Sequence, residues 1–277
     1  MQKEPVQYRK AGRLAYVSLH RPERHNALTP QVIRRLSQVW QEIDLDREVR
    51  AAVMFGEGPS FCSGMDLKLT TPGFGYRLDD VGAVDKDELE AASRFEALPG
   101  ERRRINYVPP PTLSKPVIAA LHGRVAGGGM ELALCSDIRI AAEGTSFALP
   151  EVTRGIVPGS GGMVFLPRII GAGRAMEWLL TGEAIDSDEA LRIGLVNKVV
   201  PKEQLLDAAT AMANRIADNA PLAVQAIKET VLRALGTTLA EGLTISEQQA
   251  RVLFRTADYQ EGVLAFKEKR APVFRGR

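Results

Sequence analysis

Three consecutive glycines, Gly127 to Gly129, stand between an apolar run, Lys115-Pro-Val-Ile-Ala-Ala-Leu121, and an apolar segment of helical character, Met130 to Asp137. No other stretch constrains the chain as much. It strips side chains from the place where a strand hands over to a helix, leaving the first helical N–H groups bare at the positive end of the macrodipole, where they favour an anionic oxygen. Strand followed by helix is the order of an α/β fold, and the N-terminal half repeats it.

Arg13 to His20 has the β-branched and aromatic character of a strand and stops at Arg21-Pro22. Thr29-Pro30 then offers a capping oxygen followed by a proline pre-set for a first helical turn. The helix it starts carries Val32, Leu36, Val39 and Ile43 on one face. Arg50 to Phe55 reads as a strand, as do Ile138 to Ala141 and Thr145 to Leu149. Helices are expected over Ala175 to Thr181, Ser187 to Ile193 and Gln204 to Ala217, the last with Leu205, Ala209, Met212 and Ile216 on one face. Val224, Ile227 and Val231 continue the helical spacing. The expected organisation is an α/β core over residues 1–200 and a helical region over 201–277. Thr70 to Pro111 interrupts the pattern with glycines, prolines, an acidic cluster from Asp85 to Glu90 and a basic one from Arg102 to Arg104, and reads as a variable excursion with solvated charges.

With 277 residues, 45% of them hydrophobic, the chain has enough apolar material for a large core. Its 36 Lys+Arg against 34 Asp+Glu leave a formal charge of +2, so no broad field draws it to nucleic acid or an anionic membrane. The two cysteines, Cys62 and Cys135, lack any CxxC or His-rich spacing, and ordinary half-buried thiols are expected rather than a disulfide or a metal site. No apolar run is long enough to span a bilayer, and Met1 to Lys10 has neither a signal-peptide nor a transit-peptide pattern, so a cytoplasmic location is expected.

Several familiar chemistries fall away. Gly171-Ala-Gly-Arg-Ala-Met176 begins like a dinucleotide fingerprint but ends in Met and follows no clear strand; there is no P-loop and no GxSxG nucleophile elbow. His20, His25 and His122 are isolated and read as structural. Two segments are harder to explain by packing. In Phe61-Cys-Ser-Gly-Met-Asp66 the small residues leave the main chain accessible, so the Ser63 amide is a candidate ligand donor. In Gly127-Gly-Gly-Met-Glu131 the bare helix start adjoins a carboxylate, although glycines also serve tight turns and Glu131 also suits the macrodipole. A second acid, Glu151, sits among apolar residues in Ala148-Leu-Pro-Glu-Val152, where its neutral form is favoured for proton donation. Spacing alone does not bring Glu131 and Glu151 together.

The succession Arg21-Pro22, Asn26-Ala-Leu28, Phe61 to Asp66, Lys115 to Gly123, Gly127 to Glu131, Cys135-Ser-Asp-Ile138, Pro150-Glu151 and Gly155-Ile-Val-Pro-Gly159 resembles the crotonase superfamily of enoyl-CoA hydratases and isomerases, as does the closing Glu261 to Arg270. The resemblance runs in order over nearly the whole chain and fails only in the Thr70 to Pro111 excursion. It implies a crotonase-like spiral of ββα units with a C-terminal helical trimerisation region, and a homo-oligomer that is a trimer or a dimer of trimers. It implies an oxyanion hole from the amides of Ser63 and Gly128, with Glu131 as base, Glu151 as acid and the Gly159 amide holding the water. It implies an acyl-CoA thioester as substrate and no cofactor beyond its CoA moiety. The adenine would lie against the backbone from Ser63 through Met65 and Asp66 to Leu67, with Phe266 and Lys269 reaching in from a neighbouring subunit. Glu23 stands where several relatives have a lysine, so the phosphate contact would fall to Arg24. The implied reaction is syn hydration of a trans-2-enoyl-CoA. Isomerase, lyase or hydrolase chemistry on the same scaffold, or a CoA-ester-binding subunit without turnover, are the alternatives.

Overall fold

The computed structural model describes residues 4–66 and 107–277. A six-stranded sheet has the order β1-β2-β3-β4-β6-β9. Its strands are β1 (Val6–Ala11), β2 (Leu14–Leu19), β3 (Ala51–Gly56), β4 (Val117–Leu121), β6 (Ile138–Ala142) and β9 (Lys198–Val200). β1 pairs antiparallel with β2, and every later pairing in this sheet is parallel. β1, VQYRKA, lies on an edge with mostly polar side chains, of which Arg9 and Lys10 are exposed, and gives little strand signal.

A smaller sheet has the order β5-β7-β8, formed by Arg124–Ala126, Ser146–Ala148 and Ala184–Ile185. The first turn lays β1 and β2 in the large sheet before a helix, and the turns that begin at β4 and β6 each lay one strand in the large sheet, the next in the small one, and then a helical segment. β4 and β5 lead into helix α2 (Gly128–Leu134); β6 and β7 lead into the 3₁₀ turn Pro150–Arg154. β4 then neighbours β6, and β5 neighbours β7, so successive turns stack as a ββα spiral.

Helix α1 (Pro30–Leu45) returns the chain from β2 to β3, and the Thr29 hydroxyl accepts the Val32 N–H at 3.3 Å as its cap. Val32, Leu36, Val39 and Ile43 are all buried, joined by Ile33 and Trp40. The opposite face of the large sheet is covered by α6 (Leu205–Ala217), whose Ala209, Ala213 and Ala217 pack with Ala51, Val53, Ile118 and Ile140. Alanines four apart let the helix lie close to the strands. Met212 and Ile216, expected on the buried face, are only partly covered. The packed core therefore continues past residue 200 to Ala217. Between β7 and α6 lie α3 (Gly162–Ile170), α4 (Ala172–Thr181) and α5 (Ser187–Arg192).

The last helices, α7 (Pro221–Ala234), α8 (Leu239–Leu253) and α9 (Ala257–Glu268), bury little. Ile227 and Val231 are 64% and 55% exposed, and α8 has no buried residue. Their apolar faces exist as the spacing predicts but look outward from this chain. Among the described residues no helix is long and apolar enough to cross a membrane.

The turns leaving β2 and β3 are stapled by Asn26, buried with φ +54°, a conformation Asn tolerates better than most side chains. Its Oδ1 accepts the Arg21 N–H at 2.7 Å, and its Nδ2 donates to the carbonyls of Glu57 and Ser60 at 2.9 and 2.7 Å. The Arg21 guanidinium adds bonds to the Ala27 carbonyl at 2.6 Å and to Asp66 at 3.1 Å. Asn26→Ala strands buried polar groups and is expected to lower stability by about 3 kcal/mol in urea melts. A loss below about 0.5 kcal/mol would show that the staple is dispensable.

Candidate active site

Backbone pairing fixes the Ser60–Asp66 turn against the end of β4 and β5. Phe61 N–H donates to the His122 carbonyl at 2.8 Å, Cys62 N–H to Arg124 at 3.1 Å, and Ala126 N–H returns to Cys62 at 3.0 Å. Gly127 N–H donates to the Ala148 carbonyl at 3.0 Å, which draws in the end of β7. Three turns of the spiral thus converge where α2 begins.

The Ser63 amide is not the donor expected of it, because its N–H is bonded to the His25 carbonyl at 3.0 Å. Leu28 bonds on either side of Met65, donating to the Gly64 carbonyl at 2.8 Å and accepting from the Asp66 N–H at 2.9 Å. In such a parallel bridge the N–H of Met65 points away from Leu28. It has no acceptor among the described residues. The amide left over in this turn is therefore that of Met65, with Gly64, at φ +90°, turning the chain between the two. A Cβ on Gly64 would lie 3.3 Å from the Gly128 nitrogen, so this backbone runs beside the start of α2. Gly128 N–H, in the first helical turn, likewise has no acceptor among the described residues.

The glycines belong inside that first turn, since the helix begins at Gly128 rather than at Met130. Gly127 has φ +54° and ψ −125°, and a Cβ on Gly129 would come 2.3 Å from the Cys62 carbonyl oxygen. No larger residue fits without separating helix and turn.

Both acids reach the same place. Glu131, on α2, is buried, and its Oε1 accepts the amides of Ser160 at 2.5 Å and Gly162 at 3.0 Å. Its Oε2 accepts the Tyr107 hydroxyl at 2.8 Å. Glu151, in the 3₁₀ turn, is also buried; its Oε1 lies 3.2 Å from where a Cβ on Gly127 would stand, and its Oε2 has no hydrogen-bond partner among the described residues. Burial pushes the Glu151 carboxyl above its usual range, and the Glu131 charge adds to the rise. Gly159, in the turn before α3, offers an amide with no acceptor among the described residues, next to Ser160, which bonds Glu131.

The remaining expected residues are more dispersed. Asp66 is tied to Arg21, and Leu67 lies outside the described residues. Arg24 is exposed on the short 3₁₀ helix Pro22–Arg24, with no acidic partner among the described residues. Phe266, 87% exposed, lines an apolar cavity of about 620 Å³ with Leu222, Leu253, Phe254 and Phe274, and Lys269 ends α9 in a left-handed conformation. No residue of the Ser63–Asp66 turn lines that cavity, so a single chain does not unite the two halves of the expected CoA site.

Burial holds the thiols of Cys62 and Cys135 up at about 12, the range of inert, protonated cysteines. His122 bonds the Gly58 carbonyl at 3.0 Å, and burial lowers its pKa. Gly171 separates two helices, α3 and α4, which is not the setting of a dinucleotide fingerprint.

A family model described as enoyl-CoA hydratase/isomerase matches residues 9–277. The chain belongs to the enoyl-CoA hydratase/isomerase family. It is 39% identical over 273 residues to (E)-benzylidenesuccinyl-CoA hydratase of Thauera aromatica, covering 98% of this chain and 99% of that protein. It is 36% identical to a short-chain-enoyl-CoA hydratase of Clostridium acetobutylicum, covering 94% of each. The crystal structure of an enoyl-CoA hydratase from Bacillus anthracis superposes with a TM-score of 0.84 at 34% identity, covering 99% of this chain and 100% of that one. The spiral and C-terminal helices are thus the crotonase fold. Enoyl-CoA hydratase/isomerase family members act on acyl-CoA thioesters, whose carbonyl oxygen is the kind of group two unengaged amides can hold.

The raised Glu151 value means that the fold binds its proton more tightly than the unfolded chain does. Its ionisation therefore weakens the fold as pH rises above the ordinary carboxylate value of 4.5 and through the folded value. Glu151→Gln is expected to melt higher than the wild type at about pH 8, with the gap closing near pH 4, where both states are protonated. Thermal melts across that range check it; a gap independent of pH would remove ionisation as its cause.

Proposed function

We propose that the protein is an enoyl-CoA hydratase, adding water syn across a trans-2-enoyl-CoA to give a 3-hydroxyacyl-CoA. The observation that carries this reading is the unlike surroundings of two neighbouring acids. Glu131 receives three donors, as suits an ionised proton acceptor, whereas Glu151 is buried with an unpartnered oxygen and favours its protonated form. Two carboxylates of opposite protonation are what hydration needs, and a double-bond shift needs one.

In this mechanism the amides of Met65 and Gly128 hold the thioester oxygen. Glu131 takes a proton from water, the water oxygen bonds to Cβ, and the π electrons move onto the thioester as an enolate. The two amides stabilise that oxygen as charge develops, and the helix start behind Gly128 adds to the effect. Glu151 then gives its proton to Cα on the same face, and the Gly159 amide helps to hold the water.

Glu131→Gln and Glu151→Gln are each expected to lower turnover of crotonyl-CoA by about 10²-fold or more while CoA-ester binding persists. Near-normal turnover in either variant would reject the assignment. Products from crotonyl-CoA and from a 3-enoyl-CoA, separated by mass and chirality, tell hydration from isomerisation. A panel of chain lengths, with an aryl-substituted ester added because the Thauera aromatica relative is named for one, finds the preferred acyl group. Tight binding with no product would favour a CoA-ester-binding role.

The outward apolar faces of α7, α8 and α9 support assembly into a homo-oligomer, which would also bring Phe266 and Lys269 of one chain toward the turn of another. Arg24 is the cation near that turn for a CoA phosphate. Analytical ultracentrifugation is expected to give a trimer or hexamer, and Val231→Glu with Leu243→Glu to dissociate it; a wild-type monomer would overturn this part.

A further inference from the structure

Tyr107 is absorbed by none of the roles above, yet its side chain ends inside the site. The residue is 5% exposed, and its hydroxyl donates to Glu131 Oε2 at 2.8 Å. The same oxygen lies 2.8 Å from where a Cβ on Gly128 would stand, so the phenol occupies space that only a glycine leaves open. Its backbone is fixed as well, because the buried Trp40 indole donates to the Tyr107 carbonyl at 2.7 Å.

We infer that Tyr107 is a positioning residue for Glu131, a role that rests on the hydratase reading. Oε1 of Glu131 is already held by the amides of Ser160 and Gly162. Tyr107 takes up one direction on Oε2, so the carboxylate cannot turn and its remaining acceptor direction is fixed. A phenol has one proton to give. Here it is committed to Glu131, so Tyr107 orients the base and leaves the thioester oxygen to the amides. Burial, and then the Glu131 charge, push the phenol's pKa upward, which keeps it a donor. The titratable groups that bear on Glu131 among the described residues are Tyr107, Glu151 and the neutral thiol of Cys135.

Two measurements on Tyr107→Phe test the role. In kinetics with crotonyl-CoA, kcat is expected to fall about 10- to 100-fold, the scale of a misplaced catalytic group, with KM changed less than about 3-fold. In substrate-free infrared difference spectra, with carboxylate bands assigned by Glu131→Gln, Tyr107→Phe is expected to shift the Glu131 bands. Gly128→Ala, which keeps its N–H but displaces the phenol, is expected to shift them the same way. Trp40→Phe keeps the phenol but frees its backbone, and gives a smaller shift if Tyr107→Phe does not fold. Unshifted bands in a folded variant overturn the contact, and an unchanged kcat, or a loss that falls on KM instead, overturns the positioning role. A wild type that yields no hydration product sinks the hydratase reading alone, since the infrared arm needs no substrate.

Discussion

Everything in the site depends on how closely the first turn of α2 approaches the Ser60–Asp66 turn. Gly129 meets the Cys62 carbonyl where a Cβ would stand only 2.3 Å away, and a Cβ on Gly64 would stand 2.8 Å from the Ala126 carbonyl oxygen and 3.3 Å from the Gly128 nitrogen. That contact is between backbones. It leaves two amides, those of Met65 and Gly128, without an acceptor among the described residues, and the same first helical turn carries Glu131. Widening the gap by one methyl group would move the donors and the acid together.

The two glutamates show how one small region can give the same side chain two different surroundings. Glu131 is surrounded by donors from three places, the amides of Ser160 and Gly162 and the Tyr107 hydroxyl. Glu151 is given almost nothing, and burial with the neighbouring charge favours its neutral form. The difference arises from the turn before α3, which offers its amides to one acid and not the other. Two side chains of one type are thereby given unlike surroundings, one rich in donors and one poor in them.

The C-terminal helices pose a different problem. In the core, α6 is held by alanines lying flat on the sheet, while α7 to α9 present isoleucine, valine, leucine and phenylalanine to the outside. A chain of this size does not leave such faces uncovered without a reason. The apolar cavity beside Phe266 belongs to that surface, and no residue of the Ser63–Asp66 turn lines it.

Local pattern was enough for much of the fold. The Thr29 cap, the buried face of α1, the strands β2, β3, β4 and β6, and the glycine-marked helix start are each written in a few neighbouring residues, because periodicity and capping act over one or two turns. The order of motifs likewise singled out Glu131 and Glu151 as candidates. What only tertiary structure decided was which groups remain free. Ser63 and Met65 are indistinguishable as backbone donors until the His25 carbonyl claims one of them, and nothing near Tyr107 in sequence says that its hydroxyl will meet Glu131. Which acid has partners also follows from bonds spanning some thirty residues, between Glu131 and the turn that precedes α3. Hydrogen-bond satisfaction is a property of groups brought together by folding, so a linear pattern can name the candidates but cannot assign their partners.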